Sequence, residues 1–255
     1  MTSRNYYLLA SLVFFSLSVS VVSAKGLQTM TLAGQACEGE HLSDFKEAKP
    51  IYSLRIVTKK GKDVDELKLE DINQDGKSFS IQTVEFENGV PKNFTSTNLL
   101  LKQVNQLTVT DKRLMLELTQ NGQTRKAEFD RPKLFAVGPS INRVISDSLA
   151  YLAAGKSISF QMVVVDRLAM YGFRLIKEKI DDHELLPQLK SGEWLKLKME
   201  MEDPFIGGFA PKIYFIVDAK TGLPYYVSSP IPSPLPGKGM LGRGTIHYEI
   251  VPRKK

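Results

Sequence analysis

The chain has 255 residues, a formal charge of +6 from 34 lysines and arginines against 28 aspartates and glutamates, and 42% hydrophobic residues. Its one cysteine, Cys37, excludes an intramolecular disulfide framework. The basic excess is dispersed, with no basic stripe interleaved with aromatics, which argues against a nucleic-acid partner.

Residues 1–24 carry Arg4 and then an apolar run from Tyr6 to Val22 broken only by serines, with Val22 and Ala24 in the small positions that precede cleavage. This reads as a signal peptide, cut near Ala24 to leave a periplasmic or secreted chain from Lys25. No later apolar stretch is long enough to span a membrane as a helix. A mature chain of this length buries roughly 70% of its unfolded surface and needs neither disulfide nor metal to fold. Residues 25–48 read as a loosely ordered N-terminal segment, and 49–255 as one β-rich domain. Leu32-Ala33-Gly34-Gln35-Ala36-Cys37 imitates a lipoprotein signal, but the apolar run ends too early and Gly34 stands where an apolar residue belongs. Cys37 therefore reads as a lone thiol, with a mixed disulfide to a partner left open.

Tyr52, Leu54 and Ile56 alternate as a strand, and Leu67-Lys68-Leu69 leads into Asp75-Gly76. Phe79, Ile81 and Thr83 return. Asp71-Ile72-Asn73-Gln74-Asp75-Gly76 imitates the first half of a calcium loop, yet Gln82 holds the twelfth position, where a bidentate glutamate is required. A hairpin turn explains these residues, and no metal site is expected. Asn88-Gly89 and Asn121-Gly122 are the dipeptides of two-residue hairpins. Leu114, Leu116 and Leu118 enter the second, and Ala127 and Phe129 leave it.

After Gly138-Pro139, the residues Ile141, Val144, Ile145, Leu149 and Leu152 form one apolar stripe, predicting a helix over 139–154 stopped by Gly155. Ala154-Gly155-Lys156-Ser157 resembles the end of a phosphate loop, but it follows a helix and precedes a strand, the reverse of a phosphate-binding order. The period then becomes two, with Phe160, Met162 and Val164 followed by Tyr171, Phe173 and Leu175. Later strands run over Leu195–Met201, Ile213–Val217, Pro224–Val227 and Ile246–Ile250, and a short second helix over His183–Leu189.

The catalytic search is empty. His41, His183 and His247 lie far apart in sequence; His183 falls in a polar connector, and His247 alternates onto the wet side of a strand. There is no Gly-x-Ser-x-Gly elbow, and no carboxylate has an evident pKa-raising environment. No catalytic residue and no cofactor is assigned.

About ten strands at about 4.8 Å each make a sheet roughly 48 Å wide, while one helix of about 14 residues is roughly 21 Å long. Such a helix cannot cover that face. The expected fold is mainly β, a curved antiparallel sheet or half-open barrel of about ten strands with one helix (139–154) on its concave side. The remaining hollow is either filled by the protein's own side chains or forms a cup for an apolar, lipid-like ligand. The expected cup lining is Leu149, Leu152, Phe160, Met162, Phe173 and Phe215. In the proline- and glycine-rich run Pro230–Gly242, the apolar Ile231, Leu235, Met240 and Leu241 are the candidates for touching an envelope protein partner.

The helix–Gly155–strand unit, with Phe209-Ala210-Pro211-Lys212-Ile213-Tyr214-Phe215-Ile216-Val217-Asp218 and Thr221-Gly222, resembles an uncharacterised family of secreted β-rich proteins of Gram-negative bacteria. The resemblance implies a curved sheet with a helix inside, a shape similar to that of the periplasmic lipoprotein carriers, and carries no catalytic residue. The segment from Asp71 to Leu101 has no counterpart in it. The expectation is a non-enzymatic, envelope-associated binding protein. A structural or interaction module with a filled core is the alternative, and an uncharacterised hydrolase the third reading.

Overall fold

The computed structural model describes residues 28–38, 50–61, 64–180, 193–203, 205, 210, 212–232 and 240–250. Residues 1–24, read above as a signal peptide, His41, His183, the short helix expected over His183–Leu189 and Leu235 lie outside the described residues. So do the side chains of Ile231, Met240, Leu241 and His247, whose backbones are in strands.

Fifteen strands form one sheet, five more than the sequence pattern predicts. In chain order they are β1 (Gln28–Glu38), β2 (Tyr52–Lys60), β3 (Val64–Ile72), β4 (Ser78–Glu87), β5 (Val90–Asn98), β6 (Gln103–Val109), β7 (Arg113–Gln120) and β8 (Gln123–Asp130). These are followed by β9 (Phe135–Val137), β10 (Ile158–Val164), β11 (Ala169–Glu178), β12 (Trp194–Met201), β13 (Ile213–Asp218), β14 (Pro224–Pro232) and β15 (Met240–Ile250). The spatial order runs from β8 back to β1, then from β15 back to β9. Two meanders therefore join through β1 and β15, and the edges β8 and β9 do not pair: the sheet is not closed. All pairs are antiparallel except β9 with β10.

Residues 28–38 form a central strand, β1, whose inward residues after Leu32, namely Gly34 and Ala36, are too small to announce a strand by apolar alternation. Cys37 is buried in it, and burial pushes its thiol pKa up. Asn88-Gly89 and Asn121-Gly122 make the expected tight turns, with φ of 52° and 80°, and 50° and 79°. The calcium-loop imitation is a turn between β3 and β4, in which Lys77 N–H donates to Asn73 Oδ1 at 2.9 Å.

The predicted helix is interrupted. A 3-10 turn at Gly138–Ser140 leads into α1 (Ile141–Asp147), Ser148 breaks the helix at φ −103°, and α2 (Leu149–Ala153) completes it. Ser146 Oγ donates back to Asn142 O at 2.9 Å, the kind of bond that bends a helix. Gly155, at φ 78°, stops it as expected.

The sheet curls so that its halves face each other. The 3-10 turn at Val165–Arg167 touches β6 and β7, the turn at Gly138–Ser140 touches β3 and β4, and β9 touches β5. One apolar core unites Leu107, Leu114 and Leu116 with Val137, Val163 and Val165 from across the fold. A second packs Ile141, Ile145, Leu149 and Leu152 on the concave face of β10–β13, against Leu175, Leu197 and Phe215. Each fully buried Leu or Ile contributes about 1.5–3 kcal/mol relative to exposure. Among the described residues, no helix is long and apolar enough to cross a membrane.

Candidate functional site

The site begins with cross-strand register, because residues directly opposite in an antiparallel pair share a face. On the inner face of the first meander, Val84, Phe94, Leu107, Leu116 and Ala127 lie opposite one another in turn across β4 to β8. This apolar row belongs to the core. One step along, the row becomes Gln82, Ser96, Asn105, Leu118 and Arg125. The next is Ser80, Asn98, Gln103, Gln120 and Gln123. The inner face thus turns from hydrocarbon to hydroxyl and carboxamide within two residues of each strand.

Opposite these polar rows lies the second meander, and between the two is a cleft of about 1070 Å³. Its polar wall holds Ser80, Gln82, Ser96, Asn98, Gln103 and Asn105. Its apolar wall holds Val137, Ile141, Met162, Val163, Phe215 and Val227. Gln103 and Asn105 are 8% and 7% exposed, unusual for carboxamides on the inside of a sheet. Gln103 Nε2 donates to Asn105 Oδ1 at 2.9 Å. That bond uses one donor of one group and one lone pair of the other, leaving further capacity for the cleft. Gly138, at φ 49°, lets the backbone approach this wall: a Cβ there would stand 2.7 Å from Gln82 Oε1 and 2.8 Å from Phe94.

Of the six residues expected to line a cup, Met162 and Phe215 reach the cleft. Leu149, Leu152, Phe160 and Phe173 pack beneath the helix in the second core. The helix is thus a plug whose own stripe is satisfied, and the open space lies beside it. Of the partner-contact candidates, Ile231 lies in β14 and Met240 and Leu241 in β15, with their side chains not described, and Leu235 lies outside the described residues. The sequence reading missed the polar wall. The available signal was the run of Ser, Asn and Gln at every second position between the two Asn-Gly turns, a strand period without apolar residues to mark it.

Behind the polar wall is a second cluster. Tyr248, Gly34, Leu54, Asp71 and Ser80 lie opposite one another in turn across β15, β1, β2, β3 and β4. Asp71 is 2% exposed, and burial pushes its pKa up to about 7, partly opposed by the Ser80 hydrogen bond. Burial, with the Asp71 carboxyl nearby, also raises the Tyr52 and Tyr248 hydroxyls. This corrects the expectation that no carboxylate sits in a pKa-raising environment.

The molecule is an open, curled β-sheet protein with an internal helical plug and a cleft of unlike walls. A comparison with protein-family models finds no match, and one with curated proteins finds none. Among solved structures it is similar to a crystal structure of a β-barrel-like protein of domain of unknown function DUF1849 from Brucella abortus. That likeness covers 88% of this chain and 95% of the other at 9% identity, with a TM-score of 0.43.

Proposed function

We propose that the protein is an exported, non-enzymatic binding protein of the cell envelope that holds an amphiphilic, lipid-like ligand in the cleft between its two meanders. The observation that carries this reading is the cleft's pair of unlike walls, hydrocarbon on one side and carboxamide and hydroxyl on the other. Its volume lies at the upper end of the about 300–1,000 Å³ typical of small-molecule sites. Buried Gln103 and Asn105 disfavour a purely apolar occupant, which would leave their hydrogen-bonding groups unpaired. A purely polar occupant would leave Met162, Val163 and Phe215 facing water. An amphiphile satisfies both walls. The export reading rests on the apolar run and cleavage pattern of residues 1–24.

Native mass spectrometry of protein purified from its own periplasmic extract tests the binding reading. An adduct that leaves on denaturation and extracts into organic solvent is expected. Repeated recovery of the bare chain, together with no uptake of a fluorescent acyl probe, would sink it. The same spectra test export, because the mature mass should begin at Lys25.

A further inference from the structure

Seven arginines have described side chains, and they divide by what they touch. Arg55 pairs with Glu70, Arg113 with Glu128 and Asp130, Arg143 with Asp147, and Arg174 with Glu200. Arg131 donates to Thr110 O at 3.2 Å. Arg125 and Arg167 have no ion pair or hydrogen bond among the described residues, and these two line the cleft.

They reach it from different parts of the chain. Arg125 is on edge strand β8, opposite Leu118 and hence on the inner face, in the same row as Asn105 and Ser96. Arg167 ends the 3-10 turn Val165–Arg167, which the buried Val165 anchors against the first core and which touches β6 and β7. Asp166, in that turn, is the cleft's one described carboxylate. Two guanidiniums and one carboxylate leave the lining with a net single positive charge.

We infer that the ligand is an anionic amphiphile, an acyl chain ending in a singly charged oxyanion, whose head is held by the guanidiniums that Arg125 and Arg167 contribute to the cleft lining and whose chain runs along Met162, Val163 and Phe215. This rests on the binding reading above and names its ligand class. Guanidinium forks match carboxylate and phosphodiester oxygens, and Asn105 and Ser96, two and three strands along the same row from Arg125, add neutral donors to the cleft wall. Ion pairs, or for Arg131 a bond to the Thr110 carbonyl, occupy the other arginines, whereas these two are left with their side-chain hydrogen-bonding capacity open on a hollow.

Titration calorimetry and tryptophan-independent probe displacement with full-length mature protein separate the outcomes. Palmitate supplies a carboxylate, phosphatidylglycerol a phosphodiester, and hexadecanol a chain of the same build without charge. Either anion should bind at least about tenfold more tightly than hexadecanol, the effect of one charge-assisted hydrogen bond of about 1.5–3 kcal/mol. Which anion prevails tells the carboxylate from the phosphodiester source. Arg125→Gln and Arg167→Gln should each weaken the anion about tenfold, flatten its salt dependence and leave hexadecanol unchanged. Both sites are exposed, so these variants should fold, and equal melting temperatures verify it. Equal binding of charged and neutral chains, unmoved by either variant, would overturn the anion while leaving the amphiphile reading standing. Failure of all three to bind would overturn both.

Discussion

Glu70 and Asp71 are neighbouring carboxylates with opposite fates, because successive residues of a strand point to opposite faces. Glu70 faces out, where hydrogen bonds from Lys68 and then Arg55 hold its pKa below the ordinary range against the opposing effect of burial. Arg55 Nε donates to Glu70 Oε2 at 2.8 Å. Asp71 faces in and has the Ser80 hydroxyl but no cationic partner among the described residues, so burial pushes its pKa up to about 7 from 3.8. Between those two values the unfolded chain has lost the proton that the folded chain keeps. The contribution of Asp71 to stability is therefore fully present below its ordinary pKa, is lost progressively as pH rises through this window, and levels off above about pH 7. Asp71→Asn keeps a partner for Ser80 and removes the charge. Urea unfolding at pH 5 and pH 8 should show the wild type weaker at pH 8 and the variant nearly level. A wild type whose stability rises over that range through this residue would contradict the buried, cation-free site.

At the scale of elements, the turn after β13 shows what holds the plug in place. Asp218 Oδ1 accepts from Lys220 N at 3.0 Å, Thr221 N at 2.7 Å and Thr221 Oγ1 at 2.8 Å, folding the chain back onto α1. Gly222 then adopts φ 72°, and a Cβ on it would meet Ser146 Oγ at 2.8 Å and Ser146 Cα at 2.9 Å. Gly122 has φ 79° but nothing within 4 Å of an added Cβ. Alanine at Gly122 should cost only the left-handed strain of about 1–2 kcal/mol. Alanine at Gly222 should cost that plus displacement of the helix, roughly 3 kcal/mol or more in all. Equal losses in thermal unfolding would mean that the turn and α1 are not in register with each other. A matching comparison probes the core between the meanders: Leu107→Ala, buried opposite Phe94 and Leu116, should cost about 2–5 kcal/mol.

For the whole molecule, the open seam between β8 and β9 is what turns a would-be barrel into a receptacle. The chain passes from β8 straight to β9, so these edges are close in sequence yet do not pair. Instead β9 packs against β5, and the 3-10 turns at 138–140 and 165–167 bridge from the second meander to β3, β4, β6 and β7 of the first. β8 stays almost wholly exposed and carries Arg125, Lys126, Glu128 and Asp130, charges that discourage edge-to-edge association. A ligand bridging the two meanders binds the folded state alone, so saturating it should raise the melting temperature, by about 2.7 kcal/mol of stabilisation at a hundredfold excess over Kd. Gly138→Ala, which thrusts a methyl into Gln82 and Phe94 at the polar wall, should reduce that ligand-induced shift more than Gly122→Ala does.

The local chemistry of the residues was enough to place the hairpin turns, the helix and its glycine stop, most apolar strands, and the mismatch between a broad sheet and a single short helix. Each depends on period, φ preference or area, all properties of contiguous sequence. β5 and β6 escaped that reading for the reason they matter: their inward positions carry Ser96, Asn98, Gln103 and Asn105, so the alternation that advertises a strand is missing where the strands line a cleft. The pairing of β1 with β15, the curl that sets Met162 across from the carboxamides, and the placing of Arg125 and Arg167 on one cleft lining join residues tens to hundreds of positions apart. Only register and closure in three dimensions bring them together, because contacts of that range are decided by the packing of the whole sheet and not by any stretch of it.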